Sequence, residues 1–432
     1  MPRGRVTSMP PGPKGMPLLG NQPAFERNRL DFLLRQREYG DLVRFSRRLY
    51  LVNSPDLAED VFKHSNETFT ITRTLLGEKT GGTRDSEDLI EWMRARHVAG
   101  RGLNRKSLRG AEDRLAATVA RHTDAWHARG QTEILPRLED LTADLIAEYS
   151  LGPETGPIPG LVARLQDSLL PSPLVGRARW FVPRTRPLDD TYRRLCSGVS
   201  ERVLRRRRED SAYPVLADVL IAARDDGALS DQGVVRVLVS NLVAAHETTA
   251  AALAWLFLLL DRHDEIRHRV HAEIDREIGD RMPTAEDLTR LTVVEAVVKE
   301  ALRLYPPLWF IERTVEKPTE LGGYPLRRGQ SVAVSPFVLH RDPRFYDHPQ
   351  QFRPDRWLGP SGTKPHKYAF MPFSGGPRIC LGAHFAMAVM AIATATVLGR
   401  YRLRRAARCT PFVSTRTILQ PGGLVMDIAD RG

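Results

Sequence analysis

Cysteine is scarce in this chain: 432 residues hold three, Cys196, Cys380 and Cys409, at no paired spacing. A disulfide framework is therefore not expected, and a reducing compartment is the natural setting. Long Gly/Ser or acidic tracts are missing from position 25 to the end, as are repeats at solenoid periods. One continuous unit over 25–432, after a proline-rich segment over 1–24, is the simplest organisation. The opening MPRGRVTSMPPGPKGMPLLGN lacks both the apolar stretch of a secretion signal and a membrane span, so a cytoplasmic protein without an anchor is expected. Nucleic-acid motifs are lacking too. The formal charge is +12 and Arg205 to Arg208 form a basic run, yet there is no zinc finger, helix-turn-helix or RNP pattern, and the run's spacing suits a solvated helix face. His263, His268 and His271 fit no dedicated zinc spacing, and Cys196 and Cys409 read as ordinary thiols.

What is present centres on FSGGPRICLG, Phe373 to Gly382, just ahead of the apolar run HFAMAVMAIATATVL. A cysteine at the start of a helix meets unpaired amides and the positive end of the dipole, which stabilise a thiolate. A thiolate is what a heme iron needs. Gly375 and Gly376 let the backbone fold under the sulfur, Pro377 stiffens the loop, and Arg378 is placed to reach an anionic cofactor edge such as a propionate. Gly382 lets the helix approach a flat ring.

The longest apolar segment, Gly233 to Leu260, reads as a core helix, because Arg236, Asn241, His246 and Glu247 are costly in a bilayer. In its middle, AAHETT sets Glu247 beside Thr248. An acid next to a hydroxyl suits oxygen chemistry that consumes protons. The structural alternative is that Thr248 and Thr249 bond back to preceding carbonyls and bend the helix. Strand-like pieces are short: DLVRFSRRLYLVNS, LGGYPLRRGQSVAVSP and TRTILQPGGLVMDIA. A mainly α fold with small β-sheets follows.

These residues resemble a family, the cytochrome P450 heme-thiolate monooxygenases. Phe373, Gly376, Arg378, Cys380 and Gly382 match every fixed position of its cysteine signature. AAHETT resembles its acid–alcohol signature, with Ala245 where glycine is usual. KEALRLYPP carries Glu300 and Arg303 of a Glu-x-x-Arg pair, completed by Arg356 of FRPDRW, and LIEWMRARH carries Trp92 and Arg96. PPGPKGMPLLG resembles the hinge that follows the anchor in membrane-bound relatives.

The resemblance implies a triangular, helix-rich catalytic unit of the soluble bacterial type. Heme b would lie between the long central helix and the helix after the cysteine loop. Cys380 would ligate the iron. Trp92, Arg96, Arg313 and Arg378 would meet the propionates, Glu247 and Thr248 would deliver protons, and Glu300, Arg303 and Arg356 would form a structural network. Pocket walls would come from Leu75–Ser86, Val243, Ala244, Thr248, Leu308, Trp309, Ile311, Thr417 and Ile418, under a lid over Pro171–Pro187 that holds Trp180 and Phe181. The substrate would be lipophilic, a terpenoid, fatty acid or other secondary metabolite, hydroxylated or epoxidised by a monomeric enzyme. No dinucleotide fingerprint is present, so electrons would come from a ferredoxin or flavodoxin with its reductase. These would dock on Arg101, Arg105, Lys106, Arg109, Lys364 and Lys367. Two alternatives stay open: a heme-thiolate isomerase, dehydratase or peroxygenase, and a non-catalytic heme sensor.

Overall fold

Residues 9–17, 19–71, 87–169, 186–206, 215–359 and 366–431 are described by the structure, a computed structural model. They are mainly helical with small β-sheets and form two compact units, each assembled from separated stretches of chain.

The first unit comprises Met1–Ile90, Arg303–Phe352 and Gly362–Cys380. Its largest sheet runs, in spatial order, Leu42–Arg44, Leu49–Val52, Ser331–Val334, Ile311–Val315, Phe69–Thr70. DLVRFSRRLYLVNS forms the expected hairpin, with Leu42 opposite Val52. Leu49–Val52 then pairs in parallel with Ser331–Val334. LGGYPLRRGQSVAVSP divides between that strand and a small hairpin, Thr319–Leu321 with Tyr324–Leu326. Gly322 and Gly323 turn the hairpin at φ of 58° and 83°, the left-handed geometry of a two-residue turn. The helix Pro55–Lys63 lays Ala58, Val61 and Phe62, spaced i, i+3, i+4, on a core with Tyr50, Val52, Val332 and Val334. Each such side chain contributes ~1.5–3 kcal/mol by leaving water, the alanine less.

The second unit comprises Glu91–Leu302, Arg353–Ser361 and Leu381–Gly432. Through it runs the central helix Asp231–Arg262, about 48 Å long at 1.5 Å per residue. Ser230 caps it, its Oγ accepting the Gly233 amide proton at 3.0 Å. By length and hydropathy this helix could cross a bilayer, but 78% of its most apolar window is buried inside the protein. The helices Ile134–Leu151, Ile158–Leu169 and Ala383–Arg400 pack against it. At the start of the helix Thr292–Leu304, the buried Glu273 carboxylate accepts from the amides of Val293 and Val294 at 2.8 and 2.9 Å. It thereby satisfies two of that helix's orphan donors.

The C-terminal stretch enters two sheets, with Gln420–Gly422 against Phe412–Ser414 and Val425–Asp430 between Gln131–Glu133 and Tyr401–Arg405. Arg206 departs from the expected solvated face. It is buried and grips Asp218 through Nε and Nη2, both at 2.8 Å, because the helix Leu216–Asp225 packs back on Arg186–Arg206. Arg205 stays exposed, with Glu201.

Candidate active site

Two close approaches shape the cysteine loop. Gly376 has φ 66°, and a Cβ there would overlap the Phe62 carbonyl oxygen; a Cβ on Gly375 would overlap the Tyr368 ring. Phe62 and Tyr368 are themselves stacked, centroids 6.0 Å apart and 8° between planes, so the loop rests on the backbone of one member of an aromatic pair and on the ring of the other. The Cys380 amide closes it by donating to the Phe373 carbonyl at 2.9 Å. Gly376–Arg378 make one 3-10 turn, and Gly382 caps the helix Ala383–Arg400. Cys380 is exposed, so its sulfur is within reach of a group that it would ligate. Gly376→Ala should destabilise the protein by about 3 kcal/mol or more, since overlap adds to left-handed strain. Thermal unfolding and the heme-to-protein ratio measure this, and an unchanged midpoint would refute the close approach.

Beside the loop, two arginines converge on neighbouring residues. Arg378 Nε donates to Asn66 Oδ1 at 2.5 Å and Arg313 Nε to Ser65 Oγ at 3.3 Å. Ser65 and Asn66 follow the helix Pro55–Lys63, with Asn66 at φ 76°. Arg313 is buried, lies over the Phe62 ring with 5.3 Å to its centroid, and donates to its neighbour's carbonyl, Glu312 O, at 2.9 Å. No carboxylate pairs with it among the described residues, and burial pulls its guanidinium down to about 10. A buried cation balanced only by a hydroxyl, a carbonyl and a ring fits an anionic group such as a heme propionate. The exposed thiol and glycine-shaped loop in the same unit suit the rest of that cofactor. Ser65 and Asn66 have no signature in the sequence and escape motif reading.

In the second unit, the Arg96 guanidinium lies 4.5 Å from the centroid of the Trp92 ring, one helical turn away. The central helix is buried at every residue from Thr249 to Leu260, yet one turn earlier it opens: Ala244 is exposed and Ala245, Glu247 and Thr248 are half-exposed. These positions share a face. Thr248 Oγ1 donates to the Ala244 carbonyl at 2.9 Å, so the back-bonding alternative holds for its proton, while its lone pairs stay available. On the opposite face His246 is buried, its Nδ1 against Gln166 Oε1. Burial pulls this imidazole down to about 4, outweighing the Glu139 carbonyl, which would favour the protonated ring. It is therefore neutral at physiological pH and no proton source, despite adjoining Glu247.

Glu300 is fully buried and accepts from Arg356 Nε at 3.0 Å, the Arg353 amide at 2.9 Å and Trp357 Nε1 at 2.9 Å. Arg303, also fully buried, donates to the carbonyls of His340, Pro349 and Gln351 at 2.8, 2.7 and 3.0 Å. His340 in turn accepts the Met371 amide at Nε2, 2.9 Å, with Nδ1 3.2 Å from the Arg303 carbonyl. That arrangement fixes the neutral tautomer with the proton on Nδ1 and ties Arg303 to the segment leading into the cysteine loop. Trp357 and His340 belong to this network too; the tryptophan closes the FRPDRW segment, whereas no local pattern marks His340.

Among the expected pocket residues, Ala244 and Thr248 lie on the open face, and Leu308 is exposed. Val243 is buried, and its carbonyl accepts from Gln166. Trp309 is buried against Phe25 and Phe310, and Ile418 is buried too. Ile311 and Thr417 are half-buried. The loop Leu75–Ser86, Trp180 and Phe181 of the lid, Arg207, Arg208 and Lys364 lie outside the described residues.

Comparison with known proteins adds reach to these local features. A family model described as Cytochrome P450 matches residues 179–426. Cyclooctatin synthase of Streptomyces melanosporofaciens is 31% identical over 413 residues, covering 91% of this chain and 89% of that protein. Cyclooctat-9-en-7-ol 5-monooxygenase of the same organism is 30% identical over 421 residues, with 91% and 89% covered. Pentalenene oxygenase of Streptomyces avermitilis is 28% identical over 431 residues, with 90% of each chain covered. The crystal structure of a cytochrome P450DA heme domain shares the fold, with a TM-score of 0.80 at 22% identity over 98% of both chains. Likeness that spans 91% of the chain at 31% identity lies far beyond coincidence of motifs, and the chain belongs to the cytochrome P450 family of heme-thiolate monooxygenases.

Proposed function

We propose that this monooxygenase oxidises a lipophilic cyclic terpenoid, inserting one oxygen atom of O2 and releasing the other as water, with electrons from separate carrier proteins. The observation that carries the reading is similarity over nine-tenths of the chain to two proteins whose names state oxidation of cyclooctatin-type and pentalenene compounds. The small apolar side chains on the open face of the central helix, Ala244 and Ala245, agree with a bulky hydrocarbon ligand.

The family's cofactor is heme b, and when bound it supplies oxygen binding and one-electron chemistry. Cys380 would hold the iron as a thiolate, whose electron donation favours O–O cleavage. Arg313 and Arg378 would hold the propionate edge, with Trp92 and Arg96 as further contacts. Thr248, with its own proton directed at the Ala244 carbonyl, can accept a hydrogen bond from a water and hold it in place. Glu247 is half-exposed, so it can exchange protons with solvent and recharge that water. Two electrons and two protons balance the reaction. For the carriers, Arg101, Arg105, Lys106 and Arg109 form an exposed basic cluster suited to an acidic ferredoxin or flavodoxin.

Titration of the ferric protein with cyclic sesquiterpenes and diterpenes and with medium-chain fatty acids tests the substrate class. Terpenes should give a saturable Soret shift and an oxygenated product with a ferredoxin system; response to fatty acids alone would overturn the assignment.

A further inference from the structure

The open turn of the central helix is gripped from behind by side chains that the chemistry above does not use. Gln166, Thr142 and His246 are all more than nine-tenths buried. Gln166 reaches in from the helix Ile158–Leu169 with both ends of its amide, Nε2 donating to the Val243 carbonyl at 2.8 Å and Oε1 meeting His246 Nδ1. From the helix Ile134–Leu151, Thr142 Oγ1 donates to the His246 carbonyl at 2.9 Å, nearer than its other acceptor, the Glu139 carbonyl of its own helix at 3.2 Å. The amide's orientation follows from the partners. A carbonyl only accepts, so the nitrogen faces Val243, the oxygen faces the imidazole, and the ring proton sits on Nδ1.

Each of these carbonyls already serves the helix. In the i to i+4 ladder Val243 pairs with the Glu247 amide, Ala244 with Thr248, and His246 with Ala250. With Thr248 Oγ1 on the Ala244 carbonyl, three of the four carbonyls from Val243 to His246 therefore carry a second donor from a side chain. Second donors tilt carbonyls away from the axis and bend the ladder locally. At ~100° per residue, Thr248 lies roughly 160° around the helix from His246, so a grip on His246 sets the direction in which Thr248 projects.

We propose that Gln166, Thr142 and His246 form a positioning clamp that fixes the rotation and opening of the turn carrying Glu247 and Thr248. Proton delivery then depends on residues buried behind the reacting face. The proposal rests on the heme-thiolate reading above.

The test uses full-length heme-loaded protein reduced with dithionite, with carbon monoxide as the probe and its infrared C–O stretch as the readout, since that frequency reports polar groups near the bound diatomic. Gln166→Met keeps length without the amide, Thr142→Val keeps shape without the donor, and Thr142→Ser keeps the donor. Gln166→Met and Thr142→Val should retain heme and the thiolate Soret band but shift the stretch beyond the wild-type linewidth, or split it. Thr142→Ser should restore the wild-type frequency. An unchanged stretch in both variants at full heme loading overturns the clamp alone. Loss of heme from both would make these residues part of the fold rather than positioning groups, and would also overturn it. A wild type without a thiolate band would sink the underlying function, and the clamp with it.

Discussion

Cys380→Ala abolishes the strongly red-shifted Soret band of the dithionite-reduced, carbon monoxide-bound protein and lowers substrate oxidation by at least about 10³-fold, more than 4 kcal/mol in barrier terms. The reason is ligand chemistry. Without a thiolate, electron donation to the iron is lost, and with it the drive for O–O cleavage. Neither other thiol is placed to substitute. Cys409 is buried in the C-terminal region, its Sγ donating to the Gly423 carbonyl at 3.1 Å and accepting the Val425 amide at 3.2 Å. Cys196 sits half-buried within the helix Arg186–Arg206. Absorbance spectra of wild type and variant, at matched heme content, decide the matter. A red-shifted band that survives in the variant would mean another residue ligates the iron.

The second large effect is expected at Glu300. A guanidinium, an indole and a backbone amide all donate to its carboxylate. Glu300→Gln turns one acceptor oxygen into a donor facing donors and leaves the Arg356 charge buried without its partner. Removing one member of a buried pair costs about 3–5 kcal/mol. That is a large share of the ~5–15 kcal/mol by which domains are stable. The variant should accumulate with little heme and a markedly lower unfolding midpoint. Lys299→Gln, on the same helix but in a partly exposed pair with Glu295, is the control and should change stability by less than about 1 kcal/mol. Full heme loading of Glu300→Gln with the midpoint of the control would refute a locking role.

Much of the candidate site is legible in the sequence. The cysteine loop, the acid–alcohol pair and the Trp92–Arg96 pair are contiguous or within two helical turns, and local spacing sets their geometry. The same is true of the central helix, whose Gly233–Leu260 core emerged as Asp231–Arg262. Solvated faces were less legible, because exposure depends on what packs from elsewhere. Arg206 is buried by a helix that follows it, and Val243 faces away from the open side of its own helix.

Spacing along the chain determined the family, the thiolate candidate, the hairpins and the long core helix, since each is encoded within a few residues by side-chain period and backbone preference. Tertiary structure alone decided the partners. Ser65 lies 248 positions from Arg313 and Asn66 lies 312 from Arg378, while Gln166 finds Val243 across 77. Nothing in a local pattern specifies such pairs. They arise because burying apolar faces brings distant segments together, and the polar groups caught inside must then find hydrogen-bond partners wherever the packing has put them.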